Sequence, residues 1–575
     1  MSSTLDAGSE RSGSRPAGMK KEVFGVFGDG HDLSRLRPER AFDAVLEGDR
    51  VAVGVRDAGL GSSGRTAVHS DERGLCLVFG EAFVGGARES NESGAPVDRN
   101  AARRLLDRYA AVGRDALSEL NGSHVVVLEY GGEALVATDR LRSWECFYAD
   151  LDGLRAFTTD LSSLVPHVDR SRVDRTALLE FLHVGTVLGT ATVFEQVRRV
   201  PFDGYLTPRG TGTLDRFVYE PREFDYVDEL ARRLTRAIRR RADLPGRKGL
   251  LLSGGKDSRV LLSQLPAIEH CYTIGSPDAR EVRSARKVAR QYGSGHTVLE
   301  PDDRYLRPTA EKLTYTQAIK ESLHIHHAGY ADAFDVDTLY HGALFDTLLK
   351  GYFLERDGVE LFGSKLPSRR LHPDPDPIDS LLGTLGYYPD ASVRLADAAG
   401  DLFDDIALDS PDEFLRERFR AELETCWERT ESVHNAMDLL VIKNQPVLPF
   451  RTHIADNFFE GFIAADTDLL DWHLRTPPEH RHDDTFWRAL KRIDPAIFRH
   501  RPPSQPHSST RLNQIERFAR RKLPFVEAFQ PAWPDRREVY EAYGMDEELF
   551  PFCQSVRELP VRLKLRINDI RWWLD

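Results

Sequence analysis

From residue 20 the chain sets short apolar runs between turn residues, and the runs read as strands. Val23-Phe24-Gly25-Val26-Phe27-Gly28, Val51-Ala52-Val53-Gly54, Leu75-Cys76-Leu77-Val78-Phe79-Gly80, Val125-Val126-Val127-Leu128 and Ala134-Leu135-Val136-Ala137 are of this kind, with Asn121-Gly122 and Gly131-Gly132 among the turns. One helix is expected over 99–112. The pattern predicts an α+β region rich in antiparallel sheet that closes near Tyr205-Leu206. From 222 the period changes: Tyr226, Leu230, Leu234 and Ile238 recur every four residues, an amphipathic helix. Leu250-Leu251-Leu252 follows as a buried strand, then a strand at Cys271–Ile274, an Arg-rich helix over 279–291, and strands at His296–Leu299 and Thr338–Tyr340. Strands alternating with helices predict a parallel sheet with right-handed crossovers. Ligands of such sheets sit beyond the carboxyl ends of the strands, where Ser253, Gly275 and Gly342 fall. Beyond 400 the sequence reads as helical, broken at Pro446, Pro449, Pro477 and Pro502. Residues 1–18 offer almost nothing to bury and read as a flexible tail, with Met19 a candidate start.

The most informative stretch is Ser253-Gly254-Gly255-Lys256-Asp257-Ser258. A strand feeding a Gly-Gly turn that opens a helix leaves backbone N–H groups without partners at the positive end of the helix dipole. Glycine permits an anion to approach the backbone closely, and phosphate is the natural guest. The spacing is not that of the Walker loop, Gly-x-x-x-x-Gly-Lys-Ser/Thr. The plainer alternative is a glycine-rich turn in some other α/β sheet.

Composition narrows the classes. Five cysteines (Cys76, Cys146, Cys271, Cys426, Cys553) stand far apart, so neither a disulfide framework nor a zinc site is indicated. No apolar run reaches the length of a membrane span and no signal peptide opens the chain, which makes a cytoplasmic protein the expectation. Net charge is −13, and 65 of the 78 basic residues are arginine. That balance argues against broad nucleic-acid binding and suits a surface kept soluble in high salt. Arg239-Arg240-Arg241 reads as cationic charge at a helix C-terminus. His324-Ile325-His326-His327 places His324 and His327 on one side of a helix with no third ligand, an ordinary polar face. Trp572-Trp573 reads as an anchor for the last helix, against the core or against a second copy of the chain in a homodimer.

The Ser-Gly-Gly-x-Asp-Ser loop resembles the pyrophosphate loop of the ATP pyrophosphatases. With the order of elements and further segments, residues 20 to 500 resemble the asparagine synthetase B-type family and its β-lactam synthetase relatives. Gly342-Ala343-Leu344-Phe345-Asp346-Thr347, then Lys350-Gly351-Tyr352, stands where that family has Gly-(Asp/Glu)-Gly-x-Asp-Glu and Gly-Gly-Tyr. Leu77–Glu81, Asp139-Arg140 through Phe147-Tyr148, and Val200-Pro201-Phe202-Asp203-Gly204 are similar to its other segments. The resemblance implies an α+β amidotransferase-like domain over 19–208, an Ntn-hydrolase-like αββα sandwich of class II type. It implies an α/β parallel-sheet ATP-pyrophosphatase domain with a helical C-terminal part over 222–575.

The same resemblance implies ATP and Mg²⁺ as cofactors. Leu252, Ser253, Gly254, Gly255, Lys256, Asp257, Ser258, Ile274, His341 and Gly342 would contact the nucleotide, with Asp257 and Asp346 holding the metal and sharing in catalysis. The catalytic lysine falls at Arg488 or Lys491, with Lys491 preferred, and Arg451 matches an arginine of the helical part. Lys256 replaces an aliphatic residue of the family, and its charge should touch a phosphate or an acidic neighbour. Departures are equally plain. Lys21 stands at the glutaminase cysteine, Phe79 at the oxyanion asparagine, Asn100-Ala101 near the glutamine-holding aspartate, and Ala343 and Thr347 at two acidic positions. The implied activity is an AMP-forming amide ligase that activates a carboxylate, by default aspartate, and takes ammonia or an amine. The alternative is a degenerate nucleotide-binding paralogue that regulates or scaffolds; RNA modification by adenylation is disfavoured by the acidic balance.

Overall fold

Two six-stranded antiparallel sheets lie face to face in the first half of the chain. One runs in the order Val197–Arg199, Phe147–Leu151, Leu154–Thr158, Glu22–Phe27, Ala52–Arg56, Ala44–Glu47. The other runs Gly210–Thr213, Gly204–Thr207, Glu133–Thr138, His124–Tyr130, Gly74–Gly80, Ala67–Asp71. Successive side chains point to opposite faces of a strand, so each sheet feeds two cores. Leu75, Leu77 and Phe79 meet Val53, Val55 and Phe157 between the sheets. Cys76 and Val78 face outward onto Leu105 and Leu106 of the helix Ala101–Val112, which Asn100 caps. Phe24, Val26 and Ala156 face the other way onto Leu178 and Phe181 of the helix Arg175–Val184. The layers therefore run helix, sheet, sheet, helix. Burial on both faces is why these strands read as continuous apolar runs rather than alternations.

This computed structural model describes residues 18–84, 100–361, 364–400, 402–404, 406–503 and 533–575, with a few positions between 506 and 520. The tail expected over 1–18 lies outside the described residues except for Gly18.

The second half is built on a parallel sheet in the order Gly295–Leu299, His270–Ile274, Lys248–Leu251, Thr338–Tyr340, Phe459–Gly461. The chain moves one way from the central strand Lys248–Leu251 and then returns to its other side at Thr338–Tyr340. The order thus reverses between these two strands, and that is where a crevice opens beyond their carboxyl ends. The fifth strand lies beyond 400, where the sequence reads as helix alone; at three residues, Phe459–Gly461 is too short to show a period. The antiparallel pair Arg356–Leu361 and Ser364–Leu371 is likewise an element without a sequence signal strong enough to read. Among the described residues no helix is long and apolar enough to cross a membrane.

The helix Tyr226–Arg240 forms as expected, with Val227, Leu230, Leu234 and Ile238 buried and with Arg239 and Arg240 as cationic charge in its last turn; what the sequence does not show is that the next arginine is no surface charge. Arg241 is fully buried, its guanidinium donating to Glu81 Oε1 at 2.8 Å and to Asp466 Oδ2 at 2.7 Å, so it ties the two halves together. The histidines at 324–327 are not a polar helix face either: Ser322–Ala333 is a 3₁₀ stretch kinked at Ile325, and His327 is buried. One hydrophobic core also draws residues from both sides of the stretch 208–222. Leu563, Ile567, Ile570 and Trp573 of the last helix, Val561–Leu574, pack on the outer helix of the first half. Trp573 Nε1 donates to Thr316 Oγ1 at 2.8 Å, so this tryptophan anchors the helix to its own chain.

Candidate functional site

The first motif forms the turn its glycines allow. Gly254 has φ +71, and a Cβ there would lie 2.9 Å from the Glu281 carbonyl oxygen and 3.0 Å from the Ala285 nitrogen. Only glycine fits without displacing backbone. Gly255 is the N-cap of the helix Lys256–Gln264 and supplies no side-chain cap. Ser253 Oγ accepts from the Gly255 N–H at 3.2 Å and lies 3.3 Å from Ser258 Oγ. Thr273 Oγ1 donates to the Leu252 carbonyl at 2.5 Å, fixing the strand end that enters the turn. From behind, the fully buried Arg259 braces the loop: Nε donates to the Gly254 carbonyl at 2.8 Å, Nη2 to Ser284 Oγ at 2.8 Å and Nη1 to the Ile497 carbonyl at 3.0 Å. The motif reading passed over Arg259, because a cation in a loop facing phosphate looks like a ligand contact rather than a strut.

The second motif keeps a backbone shape without its residue. Leu344 adopts φ +67, the left-handed region, at the position where the resembled family has glycine, and the helix Phe345–Lys350 follows. A Cβ on Gly342 would come 2.9 Å from Asp257 Cβ, so the two motifs touch here. Lys350 Nζ lies 2.8 and 2.9 Å from the two Asp257 carboxylate oxygens and 2.5 Å from Asp346 Oδ1, above the Phe486 ring at 5.2 Å. Burial pushes the Asp257 carboxyl up to about 6, against the pull of the Lys350 ammonium. The same two carboxylates hold the Lys350 proton more firmly than usual although burial opposes it.

The other cations lie elsewhere. Lys256 is paired with Asp483, above the Trp487 ring at 5.3 Å, an acidic neighbour rather than the open cradle. Lys491 and Arg488 are exposed on the helix Asp483–Ile493 and do not line the cavity beside the loop. The lysine that reaches the two aspartates is Lys350. Its spacing of four from Asp346 was the available signal, since residues at i and i+4 face each other on a helix.

Leu252, Ser253, Asp257, Ser258, Ile274, His341 and Gly342 line one cavity of about 370 Å³ with Tyr272 and Thr273. Val447, Phe450, Trp533, His326 and His327 form the opposite wall. His341 Nε2 lies 2.9 Å from Glu460 Oε1, and the Ala343 N–H donates to His341 Nδ1 at 3.3 Å, which sets the Nε2–H tautomer. Burial alone would raise the Glu460 carboxyl, but the Arg451 guanidinium and His341 hold it below the usual range. Arg451 Nε donates to Glu460 Oε2 at 2.9 Å, Nη1 to the Ser143 carbonyl at 2.7 Å and Nη2 to Ser123 Oγ at 2.5 Å, joining the cavity floor to the first half. His327 Nε2 lies 3.1 Å from His453 Nδ1, and burial keeps both rings neutral. Glu281 also lines the cavity, and burial pushes it up to about 7. Trp533 borders in addition a second cavity, of about 940 Å³.

Among the described residues no group of three or more His, Cys, Asp or Glu side chains could hold a metal ion. Asp257 and Asp346 nonetheless fit a divalent cation in donor type, since both offer hard oxygens and both already converge on one cation, the Lys350 ammonium.

In the first half, Lys21 Nζ donates to the Ala455 carbonyl at 2.6 Å, and the Lys21 N–H to Asp456 Oδ1 at 2.6 Å. The Met19 N–H donates to Asp160 Oδ2 at 2.8 Å. Phe79 packs on Trp144 with ring centroids 4.9 Å apart. All five cysteines are buried, and burial pushes the Cys76 and Cys146 thiols well above their usual range.

Comparison with known proteins follows this geometry. No curated protein matches the chain. Among solved structures, one described as the allosteric regulatory enzyme of purine biosynthesis shares 11% identity over 58% of this chain and 70% of that one, with a TM-score of 0.22. The glutamine phosphoribosylpyrophosphate (PRPP) amidotransferase from B. subtilis, complexed with ADP and GMP, shares 10% over 49% of this chain and 60% of that one, again at 0.22. Likenesses at that TM-score carry no argument. The sequence of residues 229–343, from the helix before the phosphate loop to the opening of the second motif, matches the family model for asparagine synthase.

Proposed function

We propose that the chain is an ATP-dependent ligase of the asparagine synthetase kind, which joins a carboxylate to a nitrogen nucleophile through an acyl-adenylate. The observation that carries this reading is the Ser253–Ser258 loop, which turns at Gly254 beside the point where the strand order reverses and lends Ser253, Asp257 and Ser258 to one cavity. ATP would lie with its phosphates on the turn and its base between the Leu252 and Ile274 strand ends, near His341. Asp257 and Asp346 would hold Mg²⁺, which when bound supplies neutralisation of the charge that develops on departing pyrophosphate. Ser253 and Ser258 offer hydroxyls to the phosphates, and the walls of Phe450, Val447 and Trp533 exclude water from the adenylate.

Ala343 brings no carboxylate to this wall. Glu281 is the acid in the cavity whose raised affinity for protons suits it to accept one near neutral pH. Lys21, clamped at the place of a nucleophilic cysteine, supports a first domain without glutamine hydrolysis, so nitrogen would come from ammonia or an amine.

The test is exchange of labelled pyrophosphate into ATP across a panel of carboxylic acids, at high and low salt. Exchange with at least one acid, lost by a factor of a hundred or more in Asp257→Ala, is the expected result. Silence across the whole panel would overturn the reading. Glutamine should release no glutamate.

A further inference from the structure

We propose that Lys350 is a resident counter-cation of the Asp257–Asp346 pair, so that this pair takes a divalent metal only together with a polyphosphate. This deepens the ligase reading and rests on its assignment of the two aspartates as metal-holding residues. Three facts carry it. The Lys350 ammonium donates to both oxygens of Asp257, at 2.8 and 2.9 Å, and is ion-paired with Oδ1 of Asp346 at 2.5 Å, so one cation bridges the two carboxylates. Its side chain is 10% exposed and lies over the Phe486 ring, so an ammonium driven off the carboxylates loses partners that solvent replaces only in part. The neighbouring cation, Lys256, is itself engaged by Asp483, so the closest acid outside the pair already has a counter-charge.

A bare metal entering between the carboxylates would strand this ammonium beside a second positive charge, which is costly in a part-buried site. A phosphate chain arriving on the Gly254-Gly255 turn changes the balance. It gives the displaced ammonium a new anionic partner and brings charge that the aspartates alone cannot tolerate. Metal and phosphate binding are then coupled through one side chain, and by thermodynamic linkage each strengthens the other. Lys350 acts here as a positioning residue rather than a catalytic one.

Mn²⁺ binding to the full chain, followed through the EPR signal of the free ion in phosphate-free buffer, tests this directly. The unaltered chain should bind Mn²⁺ weakly at this pair and at least tenfold more tightly once inorganic pyrophosphate is present, after allowance for Mn²⁺-pyrophosphate in solution. Lys350→Gln should bind Mn²⁺ at least tenfold more tightly than the unaltered chain without pyrophosphate, and Asp257→Asn added to it should remove the gain. Lys350→Arg, which keeps a cation between the acids, should behave as the unaltered chain. Equal Mn²⁺ affinity in Lys350→Gln and the unaltered chain overturns the proposal, as does a gain that survives Asp257→Asn. If Lys350→Gln does not fold, the unaltered chain still decides: tight Mn²⁺ binding that is lost in Asp257→Asn and insensitive to pyrophosphate also overturns it. The ligase reading fails separately, through absence of pyrophosphate exchange, and leaves these results standing.

Discussion

Glu281 is the residue whose environment makes the sharpest statement. It lines the cavity beside the Ser253–Ser258 loop, and burial raises its carboxyl from 4.5 to about 7. A folded-state value above the unfolded one means the fold prefers the protonated acid. The associated stability is complete below pH 4.5 and drains away as pH rises through about 7. Glu281→Gln, neutral at every pH, should escape that loss. Urea denaturation is expected to give equal stabilities for the two chains near pH 4, and an advantage of about 1–2 kcal/mol for the variant at pH 8. Parallel curves across that range would show that Glu281 ionises freely. The residue scale is also where sequence reading is strongest when neighbours in sequence are neighbours in space. Ser253 to Ser258 could be read because strand, turn and helix follow one another along the chain. Glu281 could not, since what distinguishes it is the Gly254 backbone packed against its own main chain.

At the scale of elements, the loop depends on a strut that no motif describes. Arg259 spans the Gly254 carbonyl, Ser284 and the Ile497 carbonyl from one guanidinium, tying the turn to the helix Arg280–Gln291 and to the segment after Asp483–Ile493. A lysine carries its donors on a single nitrogen and cannot span acceptors that the guanidinium reaches from three separate nitrogens. Arg259→Lys should therefore destabilise the chain by about 2–3 kcal/mol, through carbonyls left buried without donors. Chemical denaturation reads this, and circular dichroism in water should be unchanged. An unaffected midpoint would mean the carbonyls find water. The elements the sequence leaves dark share a cause. The strand Phe459–Gly461 has three residues and takes its identity from pairing with Thr338–Tyr340. The kinked stretch Ser322–Ala333 carries histidines whose polarity suggests solvent, yet His327 is buried and its Nε2 meets His453 Nδ1 in the interior.

For the molecule as a whole, the joint between the halves is ionic as well as apolar. Arg241 is buried between Glu81 of the first half and Asp466 of the second, and Arg451 links Glu460 to Ser123 and Ser143. Removing one partner of a buried ion network leaves its counter-charges without compensation. Arg241→Met is expected to cost about 3–5 kcal/mol and to lower the melting temperature measured by calorimetry. A melting temperature within a degree of the unaltered chain would place Glu81 and Asp466 in contact with water instead. A boundary drawn at a change of period marks only where strands give way to alternating elements. It cannot show that the last helix returns across it, because Leu563, Ile567 and Ile570 look alike whichever core they enter.

That return has a consequence for how the protein is made. Arg175–Val184 forms the outer layer of the amino-terminal sandwich, and its flank is closed by Val561–Leu574. During synthesis the sandwich therefore leaves the ribosome with an oily side uncovered, and it stays so until nearly four hundred further codons have been translated. A nascent chain stalled before residue 561 keeps that side open to aggregation, and its stickiness should vanish when the closing segment is supplied.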